Sequence, residues 1–209
     1  MPKDRTLGKL REREREARRA LIVDAALRVF ATRPFDRASM RDIAAEAGIA
    51  ASSIYTYFPD QQTLFIEAMT RESAPLIGKL ERIVARQQGP AAVEKVTIAF
   101  IDFFMEHDSY FRMMTHFMMQ GELGEQPARK VSETMRKVFD AFDRLFPGSD
   151  ARSTRLNSHS YFAALNGILI TFRRYPGRSK AELLRHMRQV GKRMAAMASS
   201  GARPSRAKG

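Results

Sequence analysis

A chain of 209 residues is long enough for one or two small domains with a real core, and its formal charge of +13 suits a polyanionic partner. Without cysteine, it is excluded from disulfides, thiol catalysis and thiolate metal sites. The longest nearly apolar run, Phe162 to Phe172, is interrupted by Asn166 and Thr171 and falls well short of the roughly 20 residues a spanning helix needs. Neither a membrane span nor a leader peptide is expected, and the chain reads as a soluble, cytoplasmic protein.

The charge is unevenly placed. Residues 1–60 carry 12 Lys/Arg against 9 Asp/Glu, whereas residues 173–209 carry 11 against 1. Residues 1–14 form a charged arm in which Arg and Glu alternate, a pattern that supports i, i+3 and i, i+4 pairs on a helix. Two readings stand for it: a solvated helical extension, or an arm laying Lys9, Arg11 or Arg15 along a nucleic-acid backbone or minor groove.

A first packed helix follows, with Ile22, Ala25, Ala26, Val29 and Phe30 at i, i+3, i+4, i+7 and i+8. Pro34 ends it and Phe35 anchors the connection. The stretch SMRDIAAEAGIAASSIYTYF, residues 39–58, then encodes two short helices around a tight turn. Ser39 caps the first, with Asp42 three residues later in capping-box position. Met40, Ile43, Ala44 and Ala47 line its inner face. Gly48 supplies the left-handed residue that a sharp stop requires. Ile54, Tyr57 and Phe58 turn inward from the second helix and leave Ala50, Ala51, Ser53, Tyr55 and Thr56 exposed. Such a displayed short helix is a means of entering the major groove of DNA.

Residues 25–65, AALRVFATRPFDRASMRDIAAEAGIAASSIYTYFPDQQTLF, resemble the TetR/AcrR family of bacterial transcriptional regulators. The likeness is carried by Val29-Phe30-Ala31, Phe35, Ser39, Asp42-Ile43-Ala44, Ala47-Gly48-Ile49, Ile54-Tyr55, Tyr57-Phe58 and Leu64. It implies a helix-turn-helix domain over residues 15–75 and a double-stranded, palindromic operator. The implied contact set is Ser39, Arg41, Ala50, Ala51, Ser52, Ser53, Tyr55, Thr56 and Tyr57. Hydroxyls of Ser52, Ser53 and Thr56 and methyls of Ala50 and Ala51 would read bases, while Tyr55 and Tyr57 resemble the family's phosphate-contacting aromatics. Tyr57 reads equally as core packing, and Arg41 equally as a solvated surface arginine. The chain departs from the family at Ala50, where Ser or Thr is usual, and at Gln61, where a phosphate-binding Lys is common.

A long helix should start after Pro59-Asp60 and run to about Arg86, with Pro75 kinking or breaking it near Ser73–Ala74. Further helices are expected over 91–107, from Tyr110 to Met119, over 127–146, 151–175 and 179–198, with residues 199–209 a disordered basic tail. No strand alternation occurs, so the fold class is all-α: the helix-turn-helix domain followed by a helical bundle over 76–198.

In a chain of this resemblance the bundle binds an effector and dimerises. Five of the 12 methionines fall between Met105 and Met119, interleaved with phenylalanines. Such a set makes either an adaptable cavity or an ordinary core. The candidate pocket is Phe100, Phe103, Phe104, Met113, Met114, His116, Phe117, Met118 and Tyr161, for a small lipophilic or aromatic effector. The candidate homodimer interface is Phe162, Leu165, Leu169, Phe172, Leu184, Met187 and Met194, with Gly167 permitting close helix approach. The basic face of 173–193 serves either solubility or a second contact with DNA or an acidic partner. No nucleophile–base pair, carboxylate pair or spaced metal-ligand set stands out, so no catalytic residue, metal or cofactor is expected. The expected function is an effector-released homodimeric repressor; the alternative is a constitutive DNA-binding or architectural protein with a solid bundle.

Overall fold

The structure, a computed structural model, describes residues 2–120 and 123–201. Among them are nine α-helices, one 3-10 turn and no strand. The helices are α1 (Pro2–Thr32), α2 (Met40–Glu46), α3 (Ala51–Ile54), α4 (Gln61–Arg86), α5 (Gly89–Glu106), α6 (Asp108–Gln120), α7 (Glu125–Asp143), α8 (Ala151–Phe172) and α9 (Lys180–Gly201). The 3-10 turn spans Phe35–Arg37. No helix of the described residues is long and apolar enough to cross a membrane.

The chain divides into two compact units. The first holds the described residues of Met1–Glu72 and Asp108–Val131; the second holds those of Ser73–His107 and Ser132–Gly209. The core of the first is built on the stripe read from the sequence. Ile22, Ala25, Ala26 and Phe30 of α1 meet Ile43, Ala44, Ile54, Phe58, Leu64 and Phe65, all buried. Helix α6 packs against α1 in this unit.

Pro75 does not break α4, which continues unbroken to Arg86. Proline there removes one helical donor, but Pro75 lies on an exposed side while Leu76, Ile77 and Leu80 are buried beyond it. Burial of those three side chains outweighs one lost hydrogen bond.

The second unit is centred on α5, α8 and α9. Phe100, Phe104, Phe142 and Leu165 are among its fully buried side chains. Phe100 stacks obliquely on Phe104 at 4.7 Å between centroids and meets Phe162 edge-on at 5.9 Å. Helix α9 crosses α5 so closely that a Cβ on Gly191 would lie 2.7 Å from Ile101 Cδ1 and 2.8 Å from Thr97 Cγ2. The buried Arg173 guanidinium donates twice to the Phe104 carbonyl, at 3.1 and 3.0 Å, in the last turn of α5. A cation there complements the negative end of the helix dipole.

Residues 202–209 lie outside the described residues, and with them most of the tail expected over 199–209; Ser199 and Ser200 belong to α9.

Candidate nucleic-acid interface

Helix α2, which leads into the turn before α3, is held at both ends. At its start the Ser39 hydroxyl accepts the Asp42 N–H, and the Asp42 carboxylate accepts the Ser39 N–H at 3.0 Å, completing a capping box. The same carboxylate takes the Ser39 hydroxyl and an ion pair from Arg33 at 2.8 Å. The Ser39 hydroxyl first, and Arg33 second, hold the Asp42 carboxyl below the ordinary range. At its end the Ile49 N–H reaches the Ala44 carbonyl and the Gly48 N–H the Ala45 carbonyl, with Gly48 at φ 69°. This is the Schellman closure, and its left-handed residue is the one that favours glycine.

The closure presents α3 at the surface. Ala50, Ala51, Ser52, Ser53 and Thr56 are exposed, Tyr55 is 53% exposed, and Arg41 is exposed on α2. Ile54 and Phe58 point inward and are fully buried. Ser39 is half-buried and its hydroxyl is committed to the cap, so it differs from the other expected contacts. Tyr57 is half-buried: its carbonyl accepts Arg19 Nη1 at 3.0 Å, and its hydroxyl, ahead of Glu14, raises the pKa of the Arg18 guanidinium. Gln61 turns inward and donates to the Phe35 carbonyl at 2.8 Å.

Arg19 ties the segment that follows α3 to α1 and α4. Its guanidinium lies 4.2 Å over the Phe58 ring and pairs with Glu67 at 3.2 Å; Glu67 also pairs with Lys130. Burial alone would raise the Glu67 carboxyl, but Lys130 and then Arg19 bring it below its ordinary value.

Residues 22–68 match the family described as "Bacterial regulatory proteins, tetR family". Over this stretch the chain is similar to the TetR-family domain. Three solved structures share the fold. A TetR-family transcriptional regulator from Streptomyces coelicolor is 22% identical, with 89% of this chain and 83% of that one covered and a TM-score of 0.64. The regulator FadR from Bacillus subtilis, in complex with stearoyl-CoA, is 16% identical over 88% and 99%, with a TM-score of 0.69. NalD from Pseudomonas aeruginosa, the secondary repressor of the MexAB-OprM multidrug efflux pump, is 18% identical over 85% and 96%, with a TM-score of 0.60.

The first compact unit includes α6, a helix the sequence reading had placed in the helical bundle. Of the expected pocket residues, Met113, Met114, His116, Phe117 and Met118 lie on α6 in the first unit, whereas Phe100, Phe103, Phe104 and Tyr161 lie in the second. The nine therefore do not share one compact unit. Met113 and Met114 are buried, His116 and Phe117 half-buried, and Met118 exposed. In the second unit Phe103 stacks on His107 at 4.1 Å, and the buried Tyr161 hydroxyl bonds to Thr97. Burial pushes the Tyr161 phenol up to about 12, with the Thr97 bond acting against it.

The expected dimer residues also divide. Leu165, Leu169 and Met187 are 0% exposed, taken up by the chain's own core, and Phe162 is half-buried against Phe100, Phe139 and Phe142. Phe172 meets His186 edge-on, while Leu184 and Met194 are half-buried. The apolar surface of α8 lies one position over: Leu156 (65% exposed), Ala163, Ala164, Gly167 and Ile170 (62%), with Met197 (72%) on α9. A groove of about 350 Å³ between α8 and α9, lined by Ala164, Met194 and Met197, runs along this face.

Sequence reading passed over Arg18 and Leu21, which with Ala50, Ser53, Thr56 and Tyr57 line a cleft of about 350 Å³ between α1 and α3. Arg18 precedes Ile22 by one helical turn, so its spacing from the packed stripe was the available signal.

Proposed function

We propose that the protein is a homodimeric transcriptional repressor that binds a palindromic duplex operator through α3 and is released by a small effector. The observation that carries this reading is the exposed edge of α3, which offers Ser52, Ser53, Tyr55 and Thr56 from a turn fixed by the capping box and the Schellman closure. Ala50 and Ala51 offer methyl surface to thymines, and the Ser and Thr hydroxyls accept or donate to base edges. Tyr55, Arg41 and Arg18 ring this surface with phosphate donors. Arg18 joins the set and Ser39 leaves it.

The apolar stripe Leu156–Ala163–Gly167–Ile170 with Met197 is the proposed dimer face. A two-fold pairing there places two copies of α3 on successive half-sites. The stearoyl-CoA bound to one structural relative, and the efflux-pump repression by another, support an effector-responsive regulator of this kind. A second reading, constitutive DNA binding, is favoured by the filling of the second unit's core by Phe100, Phe104 and Phe142.

Selection of duplexes from a random pool tests the reading. A single enriched palindrome is expected, and Tyr55→Ala should weaken its binding about tenfold with the fold intact, the loss of one charge-assisted hydrogen bond. Failure to retain any duplex overturns the reading. Operator affinity indifferent to every ligand offered leaves the constitutive alternative.

A further inference from the structure

The first unit contains a small aromatic pocket that DNA binding does not use. Its volume is about 120 Å³, and it is lined by Phe30, Phe35, Phe65, Met113 and His116, with Arg33 and Arg112 among its walls. Phe30 comes from the last turn of α1, Arg33 follows it, Phe35 opens the 3-10 turn, Phe65 comes from α4, and Arg112, Met113 and His116 come from α6. Phe30 and Phe35 each meet Phe65 edge-on, at 5.0 and 4.8 Å. The His116 ring lies 5.0 Å from Phe35 and 5.9 Å from Phe65. An apolar cavity of comparable size, about 150 Å³, is known to take up a single benzene ring.

Two guanidinium groups make this more than a packing gap. Arg112 donates to the Ala31 carbonyl, one of the last-turn acceptors of α1, and lies 3.6 Å from Asp108. Arg33 is half-exposed and pairs with Asp42 at 2.8 Å. A planar guanidinium matches a carboxylate in two-point geometry. An aromatic floor bearing guanidinium groups therefore selects a flat ring with one anionic substituent.

We propose that this pocket binds a single-ring aromatic carboxylate of benzoate size, and that the ligand's carboxylate draws Arg33 from Asp42. The proposal extends the effector-released repressor reading and rests on it for its regulatory consequence. Asp42 is the capping-box residue of α2, and its pair with Arg33 joins the end of α1 to the start of the helix-turn-helix. Arg28–Glu46, at 2.5 Å, is a second ion pair linking α1 and α2 among the described residues. Removing one of the two tethers frees the N-terminus of α2 relative to α1, which shifts the frame holding α3. Exposed ion pairs are individually weak, so the coupling is modest, a loss of operator affinity of about threefold. Operator must weaken benzoate binding by the same factor.

The test uses the full chain, sodium benzoate, neutral benzamide and the operator selected above, with sodium chloride matching ionic strength. Calorimetry is expected to show one saturable benzoate per chain and much weaker benzamide. Arg33→Gln, at an exposed position, should weaken benzoate about tenfold and remove its effect on operator affinity. Met113→Phe should close the pocket to both compounds. Absence of saturable benzoate binding overturns the site, as does binding unaltered in both variants. Binding that leaves operator affinity unchanged overturns the Arg33–Asp42 coupling. A chain that binds benzoate at this site but no duplex refutes the DNA-binding reading while the pocket stands.

Discussion

Ala50 occupies the N-cap of α3 in extended geometry, φ −63° and ψ 139°, with no side chain to accept the first helical N–H groups. Ser39 and Asp150 fill the same role for α2 and α8 with an oxygen in place. Helix α3 is thus the least secured of the three, at the position where the TetR family it resembles usually carries Ser or Thr. Ala50→Ser should stabilise the protein by about 1 kcal/mol, read as a raised midpoint in urea unfolding. An unchanged midpoint would show that water caps this terminus as well as a hydroxyl does. Tyr55 makes the complementary case. It is 53% exposed, so Tyr55→Ala should alter DNA affinity and leave stability within about 0.5 kcal/mol of the parent in urea unfolding.

At the scale of elements, two helical glycines with the same propensity cost have opposite surroundings. Gly191 faces Ile101 and Thr97, and Thr97 is fixed by bonds to the Val93 carbonyl and the Tyr161 hydroxyl. Alanine at 191 gains up to about 1 kcal/mol of helix propensity but overpacks the α5–α9 crossing by roughly 1–3 kcal/mol. Gly191→Ala should therefore lower stability, by up to about 2–3 kcal/mol in urea unfolding. Gly167 has nothing within 4 Å of its Cβ position inside the protomer. On the proposed dimer face, Gly167→Ala should weaken association, recognisable because the loss of stability depends on protein concentration. Ile170→Arg, on the same stripe, should yield monomers by sedimentation, whereas a dimer of undiminished affinity would move the interface off α8. Helical periodicity gave the apolar positions of α8, but Leu165 and Ile170 are equally apolar letters. Only the packing of α5 and α9 shows which is spent inside the chain.

At the scale of the molecule, carboxylates hold helix starts and helix contacts together. Asp42 is lowered by Ser39 and then Arg33, Asp150 by the Ser153 N–H, and Glu182 by the Ser179 hydroxyl; in Glu67 the cations override burial. Each folded value lies below the unfolded one. Their contributions are complete above the ordinary carboxylate range and are lost as pH falls through the folded values. Stability should be level from neutral pH to about pH 5 and decline below about pH 4, as followed by urea midpoints across that range. A steep decline already at pH 6 would implicate histidines instead.

The all-α class, the helix-turn-helix between Ser39 and Phe58 and most helix boundaries were legible in the amino-acid sequence. Capping residues, a left-handed glycine and 3.6-residue periodicity are local properties that each segment carries with it. Tertiary structure alone assigned α6 to the first unit, carried α4 through Pro75, and turned Leu165, Leu169 and Met187 inward. It also set Arg33 between Asp42 and an aromatic pocket. Those outcomes depend on which helices meet, and burial of a neighbour's surface, unlike periodicity, is not written in any one segment.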